Sequence, residues 1–326
     1  MKIVFCNIQM HMRSGTEIVT RDLAIGMRRR GHDVDVYTGQ TGGLTEELAA
    51  AGVNIYTDPD SVPVPDVFHV NHMGFARPLM ELHKSVPVLV QCHDATHGNA
   101  ALFNSDQVKL WSGVSQACRT RVGLETGVPL EAVRFLPNCV ETDHLPELRQ
   151  KMPIFPRRWL FVGEKPGGKR LERRLRLAAA LFATRLDIVG PFVSAPDIVD
   201  DLASHAASYD LVFASARCAL ESAAAGTGVI VCDPRGLAGF LGREQWGHWG
   251  PHNLGLGCMD KSPNLANLIG SVLAWRRSEV HAVSHAIRRG RSLAELLQQL
   301  EQSYLHILGQ GPAPSNIFEP SDRSSQ

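Results

Sequence analysis

Short apolar runs alternate with amphipathic helical stretches from the first residues of this chain, and after a break near its middle the alternation starts again. Strand, helix and strand in succession give a parallel sheet with helices on its faces, because each parallel pair needs a crossover long enough to hold a helix. Residues 2–8 (KIVFCNI) read as a buried strand, and residues 17–30 place Ile18, Val19, Leu23, Ala24 and Met27 on one helical face. Gly31-His32 ends that helix, and strands are expected at 34–38, 53–56, 67–70, 86–91, 111–115 and 133–136. Pro63, Pro65, Gly98, Asn99, Gly127 and Pro129 punctuate the connections. Residues 147–158 (ELRQKMPIFPRR) are polar, hold two prolines and follow no period, as a linker would. Beyond them strands are expected at 159–162, 186–189, 211–214 and 229–232, with helices at 169–183, 197–207, 217–225, 264–275, 279–289 and 292–308.

Length and charge narrow the function. At about 150 residues per domain, the chain of 326 makes two domains. They are expected at 1–150 and 151–308, the last helix able to pack back on the first domain, followed by a disordered tail at 309–326. Two doubly wound α/β domains of this kind would face each other across a cleft, with ligands just beyond the carboxyl ends of the strands. Lys plus Arg and Asp plus Glu both total 33, so there is no basic excess with which to grip nucleic acid. Asn7, Gln9, His11 and Arg13 interrupt the N-terminal apolar run, unlike a secretory leader, and no stretch of about 18 apolar residues offers a membrane span. A cytoplasmic protein is expected. Cys6, Cys92, Cys118, Cys139, Cys218, Cys232 and Cys258 are scattered without a CxxC pair and read as buried thiols in a reducing compartment. His72, His83 and His97 match no common zinc spacing, so neither a metal nor another cofactor is expected.

Ser14-Gly15-Thr16-Glu17 opens the first helix, and Ser14 and Glu17 have the spacing of a capping box. The same helix tip, with Gly15 admitting a ligand to the backbone, would also hold a phosphate or a sugar hydroxyl. The stretch SGTEIVTRDLAIGMRRRGHDVDVYTG (14–39) resembles the opening of retaining glycosyltransferases of the family-4 type, which have the two-domain GT-B fold. Gly15 and Glu17 fall on the Gly-x-Glu loop of that family, with Ser14-Gly15 in place of its usual Gly-Gly, and Arg30-Gly31-His32 falls on the helix exit, a structural position. The likeness continues in Asp66-Val67-Phe68-His69-Val70, in VLVQCHD (88–94) and in residues 114–145. It implies that His93 hydrogen-bonds the transferred sugar and that Asp94 orients the imidazole. It also implies that Asn138 opens a ligand-side turn, which reads Asn138-Cys139-Val140-Glu141 where the family has Asn-Gly-Val-Asp.

In the second half, Gly163-Glu164-Lys165-Pro166-Gly167-Gly168-Lys169-Arg170 fits G-x-x-x-x-G-K. A triphosphate P-loop next needs Ser or Thr for magnesium, and Arg170 cannot serve. The resemblance explains the residues differently: the family places an arginine and a lysine after this strand to neutralise the donor's diphosphate. Lys169 matches the lysine, while Glu164 follows Gly163 in the arginine's place and leaves Lys165 or Arg170 to substitute. Cations there would stabilise the charge that develops on the leaving diphosphate. Arg173, Arg174 and Arg176 read as a solvated helix face, with peripheral contact to an anionic membrane as a second reading.

Residues 210–240 resemble the part of these transferases where a glutamate binds the nucleotide's ribose, and Glu221 takes that position at a helix start. A carboxylate accepts from both ribose hydroxyls, although an ordinary solvated glutamate on an amphipathic helix is the plainer reading. The family's other glutamate, eight positions earlier, is Phe213 here. Ser215, Arg217 and the backbone N–H groups of 216–219 would meet phosphates at a helix tip. The following loop, with Arg235 and Gly236, would close over the sugar or its phosphates. No G-x-G-x-x-G follows the first strand and no G-x-S-x-G occurs, which argues against a nicotinamide dehydrogenase and an α/β-hydrolase. The resemblance thus implies a metal-independent transferase, retaining if it follows the family, that moves a sugar from a nucleotide-diphosphate sugar to a carbohydrate, lipid or other small acceptor. The donor nucleotide would lie on the second domain and the acceptor on the first. A nucleotide-sugar epimerase of the same fold and a non-catalytic nucleotide-sugar-binding protein are the alternatives.

Overall fold

A computed structural model describes residues 1–13, 15–96, 101–314 and 318. Ser14, with it the capping box, and His97, Gly98, Asn99 and most of the expected tail lie outside the described residues. The chain forms two compact units: unit 1 is Met1–Asn138 with the chain from Ala294 onward, and unit 2 is Cys139–Leu293.

Unit 1 contains β1 (Lys2–Cys6), α1 (Gly15–Arg29), β2 (Asp33–Tyr37), α2 (Gly43–Ala50), β3 (Asn54–Tyr56), β4 (Val67–Val70), α3 (Met73–Leu82), β5 (Val88–Cys92), β6 (Val108–Gly113), α4 (Gln116–Thr126) and β7 (Val133–Phe135). The strands make one parallel sheet in the order β3-β2-β1-β4-β5-β6-β7. Both faces of its central strands are covered, as continuous apolar runs require: Ile3, Val4, Phe5 and Cys6 are fully buried. On one face Val4, Phe68, Val70, Val88 and Val90 pack with Met73, Leu79 and Met80 of α3 and Val122 of α4. β1 ends at Cys6, two residues before the strand expected from sequence, because the Asn7 side chain caps a turn by donating to the Gln9 carbonyl at 2.8 Å.

Unit 2 contains β8 (Arg158–Val162), α5 (Gly168–Leu181), β9 (Arg185–Val189), α6 (Leu202–Ala206), β10 (Leu211–Ala214), α7 (Ala216–Ala224), β11 (Gly228–Asp233), β12 (Gly236–Phe240), α8 (Arg243–Trp249), α9 (Leu265–Leu273) and α10 (Arg277–Gly290). Its sheet runs β12-β11-β10-β8-β9, parallel except for β12, which returns antiparallel to β11 in a hairpin. One face carries Trp159, Phe161 and Phe213 against α5 and α9, and the other carries Leu160, Val212 and Val231 against α7 and α10. The helix expected at 197–207 shrinks to α6. Asp197 instead forms a β-bridge with Gly190, and Asp201 caps the short helix by accepting from the Ser204 N–H at 3.0 Å. The segment 147–158 that reads as a linker is packed onto unit 2. Arg149 pairs with Asp210 at 2.8 Å, Met152 is buried, and the Leu148 side chain lies where a Cβ on Gly226 would stand.

The last helix, α11 (Leu293–Ile307), lies within unit 1 for all but its first residue. A Cβ on Gly26 would stand 2.4 Å from Leu297 Cδ1, so only glycine lets α11 seat this closely on α1. Gly31, at φ +89°, turns the chain after α1, and its neighbours Arg30 and His32 both bond Glu301 of α11. The Arg30-Gly31-His32 triplet therefore anchors the terminal helix. Full burial of Leu300 and Tyr304 adds about 1.5–3 kcal/mol for each side chain of that size.

Candidate functional site

The carboxyl ends of β1, β4 and β5 bring a polar group together in unit 1. Thr20 Oγ1 on α1 donates to the Thr16 carbonyl at 2.8 Å and accepts from Asn71 Nδ2 at 2.9 Å. That fixes the Asn71 amide, whose Oδ1 faces His93 Nε2 at 3.2 Å and can only accept. The His93 proton therefore sits on Nε2, and Nδ1 is left as an acceptor. Burial, with His72 and His69 close by, pushes His93 down to about 3, so the half-buried ring is neutral at physiological pH.

Two more histidines share this state. The Ile8 N–H donates to His72 Nδ1 at 3.4 Å, and burial holds His72 at about 4 against the opposing pull of Asp94. His69 lies deeper, on β4. Tyr304 of α11 is 2.6 Å from its Nδ1, and Gln91 Oε1 is 3.0 Å from its Nε2. Since Gln91 Nε2 donates to the Leu136 carbonyl at 3.0 Å, Gln91 Oε1 accepts from His69, which in turn accepts from Tyr304. Burial lowers His69 to about 4.

Sequence reasoning gave Asp94 the task of orienting His93, and the geometry reassigns it to Asn71. The Asp94 carboxylate is exposed and accepts from the Thr96 N–H and hydroxyl at 2.9 and 2.8 Å, a local turn that occupies it, while its carbonyl takes Arg121 at 2.9 Å. Asn71 and Thr20 were missed, though Asn71 follows β4 as His93 follows β5. Glu17 is buried in the first turn of α1, and a Cβ on Gly15 would meet nothing within 4 Å, so Gly15 leaves open space at the helix tip. Asn138 is buried, and its Oδ1 has no hydrogen-bond partner among the described residues.

In unit 2 the carboxyl ends of β8, β10 and β11 deliver Gly163, Ser215 and Pro234. A Cβ on Gly163 would stand 2.2 Å from Val193 Cγ1, and one on Gly168 would stand 2.3 Å from the Phe192 carbonyl oxygen. These glycines let the 190–193 loop cross the β8–α5 turn, a packing role that accounts for the P-loop-like spacing. The turn carries Glu164 and Lys165, both half-buried. Burial raises the Glu164 carboxyl, nearby Glu221 raises it further, and Lys165 and Arg217 oppose. Arg217 pairs with Glu221 at 2.6 Å one helical turn apart on α7. Glu164, Lys165, Arg217 and Glu221 thus form one group of two acids and two bases. Glu221 lies in the second turn of α7 rather than at its start, because the helix begins at Ala216.

The remaining expected ligands separate. Lys169 is exposed on α5, outside that group. The Ala216 N–H, expected to meet phosphate, donates to the Leu254 carbonyl at 2.8 Å, and Ala216 itself has φ +50°. Ser215 donates to Asp233 at 3.2 Å. Asp233 also accepts from the Arg235 N–H at 2.8 Å and from its guanidinium. Gly236 is no part of a closing loop: it opens β12, buried, where a Cβ would stand 2.7 Å from Met259 Cβ. Arg170 and Arg235 line a separate cleft with Arg174 and Lys261. Among the described residues no group of three or more His, Cys, Asp or Glu could hold a metal ion, and no helix is long and apolar enough to cross a membrane.

No family model matches this chain, and no curated protein matches it by sequence. Solved structures do. HepE (Alr3699) of Anabaena in complex with UDP-glucose superposes with a TM-score of 0.65 at 15% identity, over 93% of this chain and 98% of that one. Sucrose-phosphate synthase of Thermosynechococcus elongatus gives 0.62 at 14% identity, over 94% and 99%. MnaA of S. aureus, solved with UDP, gives 0.59 at 12% identity, over 96% and 99%. The chain has the GT-B fold of these proteins, two Rossmann-like units in one polypeptide.

Proposed function

We propose that the chain is a glycosyltransferase that takes its sugar from a nucleoside-diphosphate sugar and binds the nucleotide on unit 2. The observation that carries the reading is the group Glu164, Lys165, Arg217 and Glu221 at the carboxyl ends of β8 and β10. Ligands of open α/β sheets bind at that edge. In this reading the Glu221 carboxylate accepts the ribose hydroxyls. Lys165 faces the diphosphate and stabilises its charge as the glycosidic bond breaks, with Lys169, in the first turn of α5, as a second cation at the same helix tip. Likeness to proteins solved with UDP and UDP-glucose supports a nucleotide sugar as the ligand. On unit 1, neutral His93 presents Nδ1 as an acceptor for a sugar hydroxyl, a role that needs no charge and so persists across physiological pH. The transfer proceeds without an amino-acid nucleophile, the departing diphosphate taking the acceptor's proton, which gives retention of configuration.

Calorimetry with UDP and UDP-glucose on the full chain tests the proposal, alongside Glu221→Ala and Lys165→Ala. Loss of one charge-assisted pair of hydrogen bonds to ribose lowers affinity about 10- to 100-fold. Unchanged nucleotide affinity in both variants contradicts the assignment. A second reading, a nucleotide-sugar epimerase, has support in the likeness to MnaA and to a putative UDP-N-acetylglucosamine 2-epimerase of Listeria monocytogenes. Conversion of the donor sugar with no acceptor present would select it.

A further inference from the structure

The cleft that holds Arg170 and Arg235 has a construction of its own. Its volume is about 390 Å³, within the range of small-ligand sites, and its charged lining is Arg170, Arg174, Arg235 and Lys261 against the single carboxylate of Asp260, with Ser262 adding a hydroxyl. Two of the four cations are held by their charged groups, and the backbone of a third is fixed. Arg174 donates to the Pro263 carbonyl at 2.9 Å. Arg235 is held through its N–H and guanidinium by Asp233. Lys261 belongs to an antiparallel bridge with Leu237 of β12, closed by backbone hydrogen bonds of 2.8 and 3.0 Å. Arg170 and Arg174 stand four residues apart on one face of α5. Like charges collected around one concavity repel, and an anion among them relieves that repulsion. With Asp260 in the lining and Asp233 paired to Arg235, two positive charges remain without a carboxylate. Guanidinium forks match the several oxygens of a phosphate.

We propose that this cleft is a second binding site, specific for a phosphomonoester or diphosphate group and distinct from the group around Glu221, with which it shares no lining residue. It does not depend on the transferase reading. The phosphate belongs either to a soluble molecule or to a lipid headgroup. Leu177 and Leu181, both exposed on α5, give the lipid arm its reason.

Inorganic pyrophosphate is titrated calorimetrically into the full chain in the presence of saturating UDP, and co-sedimentation is measured with phosphatidylcholine vesicles containing phosphatidic acid. Both are repeated with the Arg170→Ala/Lys261→Ala double variant, which alters only exposed side chains. The expected result is binding of pyrophosphate, of vesicles or of both, weakened at least about tenfold in the double variant while UDP affinity stays within about twofold. Pyrophosphate binding alone identifies a soluble ligand, and vesicle binding lost in the variant identifies a headgroup. The proposal is overturned if the wild type binds neither, if the double variant binds pyrophosphate and vesicles as well as the wild type does, or if it loses UDP in proportion. Failure of UDP to bind at all counts against the nucleotide reading and leaves the pyrophosphate result standing.

Discussion

Acidification should destabilise unit 1 through one residue, His69, by an amount that its surroundings set. The ring is fully buried, donates to Gln91 and accepts from Tyr304, so protonation would place a charge in the core and force the Tyr304 hydroxyl to turn from donor to acceptor. Burial takes it from 6.5 to about 4. With the folded value below the unfolded one, the unfolded chain binds more protons between those limits. The stabilisation is complete above 6.5 and is lost as pH falls toward 4. Linkage gives a loss of about 2 kcal/mol at about pH 5 and about 3 kcal/mol at about pH 4, relative to neutral pH. The comparison is with His69→Gln, which keeps polar atoms at the position and does not titrate. Denaturant unfolding is followed by the fluorescence of Trp111, since the other tryptophans all lie in unit 2. His72 and the carboxylates are common to both proteins, and His93 differs only through the loss of His69, which weighs on it less than burial and His72 do, so the difference in pH dependence reports chiefly on His69. Wild type and variant losing stability in parallel over this range would refute the reasoning.

Tyr304→Phe removes the one donor to His69 Nδ1 and should cost about 1–3 kcal/mol in the same unfolding assay, with no change in nucleotide affinity. Gly168→Ala forces a Cβ toward the Phe192 carbonyl and should lower stability by about 1–3 kcal/mol, read as a fall in melting temperature. Asn71→Ala releases the His93 ring, and sugar turnover should fall about tenfold or more while UDP titrates as in wild type. Glu301→Gln should loosen α11 from Arg30 and His32, seen as faster amide exchange in residues 297–307.

The sheets were legible because their strands are continuous apolar runs, as at residues 159–162 and 211–214, where burial on both faces leaves no room for polar residues. α3 was hidden by Pro78 inside it, and β12 by its composition, since GLAGF reads as a loop until the hairpin and the Met259 side chain explain its glycines. Candidate residues such as His93, just after β5, and Glu221, on the helix after β10, could be named from order along the chain. Their partners could not. Asn71 reaches His93 through adjacent parallel strands, and Lys165 and Glu221 both act on Glu164, a residue the order of the chain gives no reason to single out. Arg170 and Arg235 looked like ligands of one phosphate group with Lys169. Helix phase and the Asp233 clamp set them in another cleft.

A crystal structure of the full chain with UDP bound tests the central claim most directly. The account predicts both ribose hydroxyls within hydrogen-bond distance of the Glu221 carboxylate and the diphosphate beside Lys165. Nucleotide seated elsewhere, with no ribose hydroxyl on the Glu221 carboxylate, would contradict it.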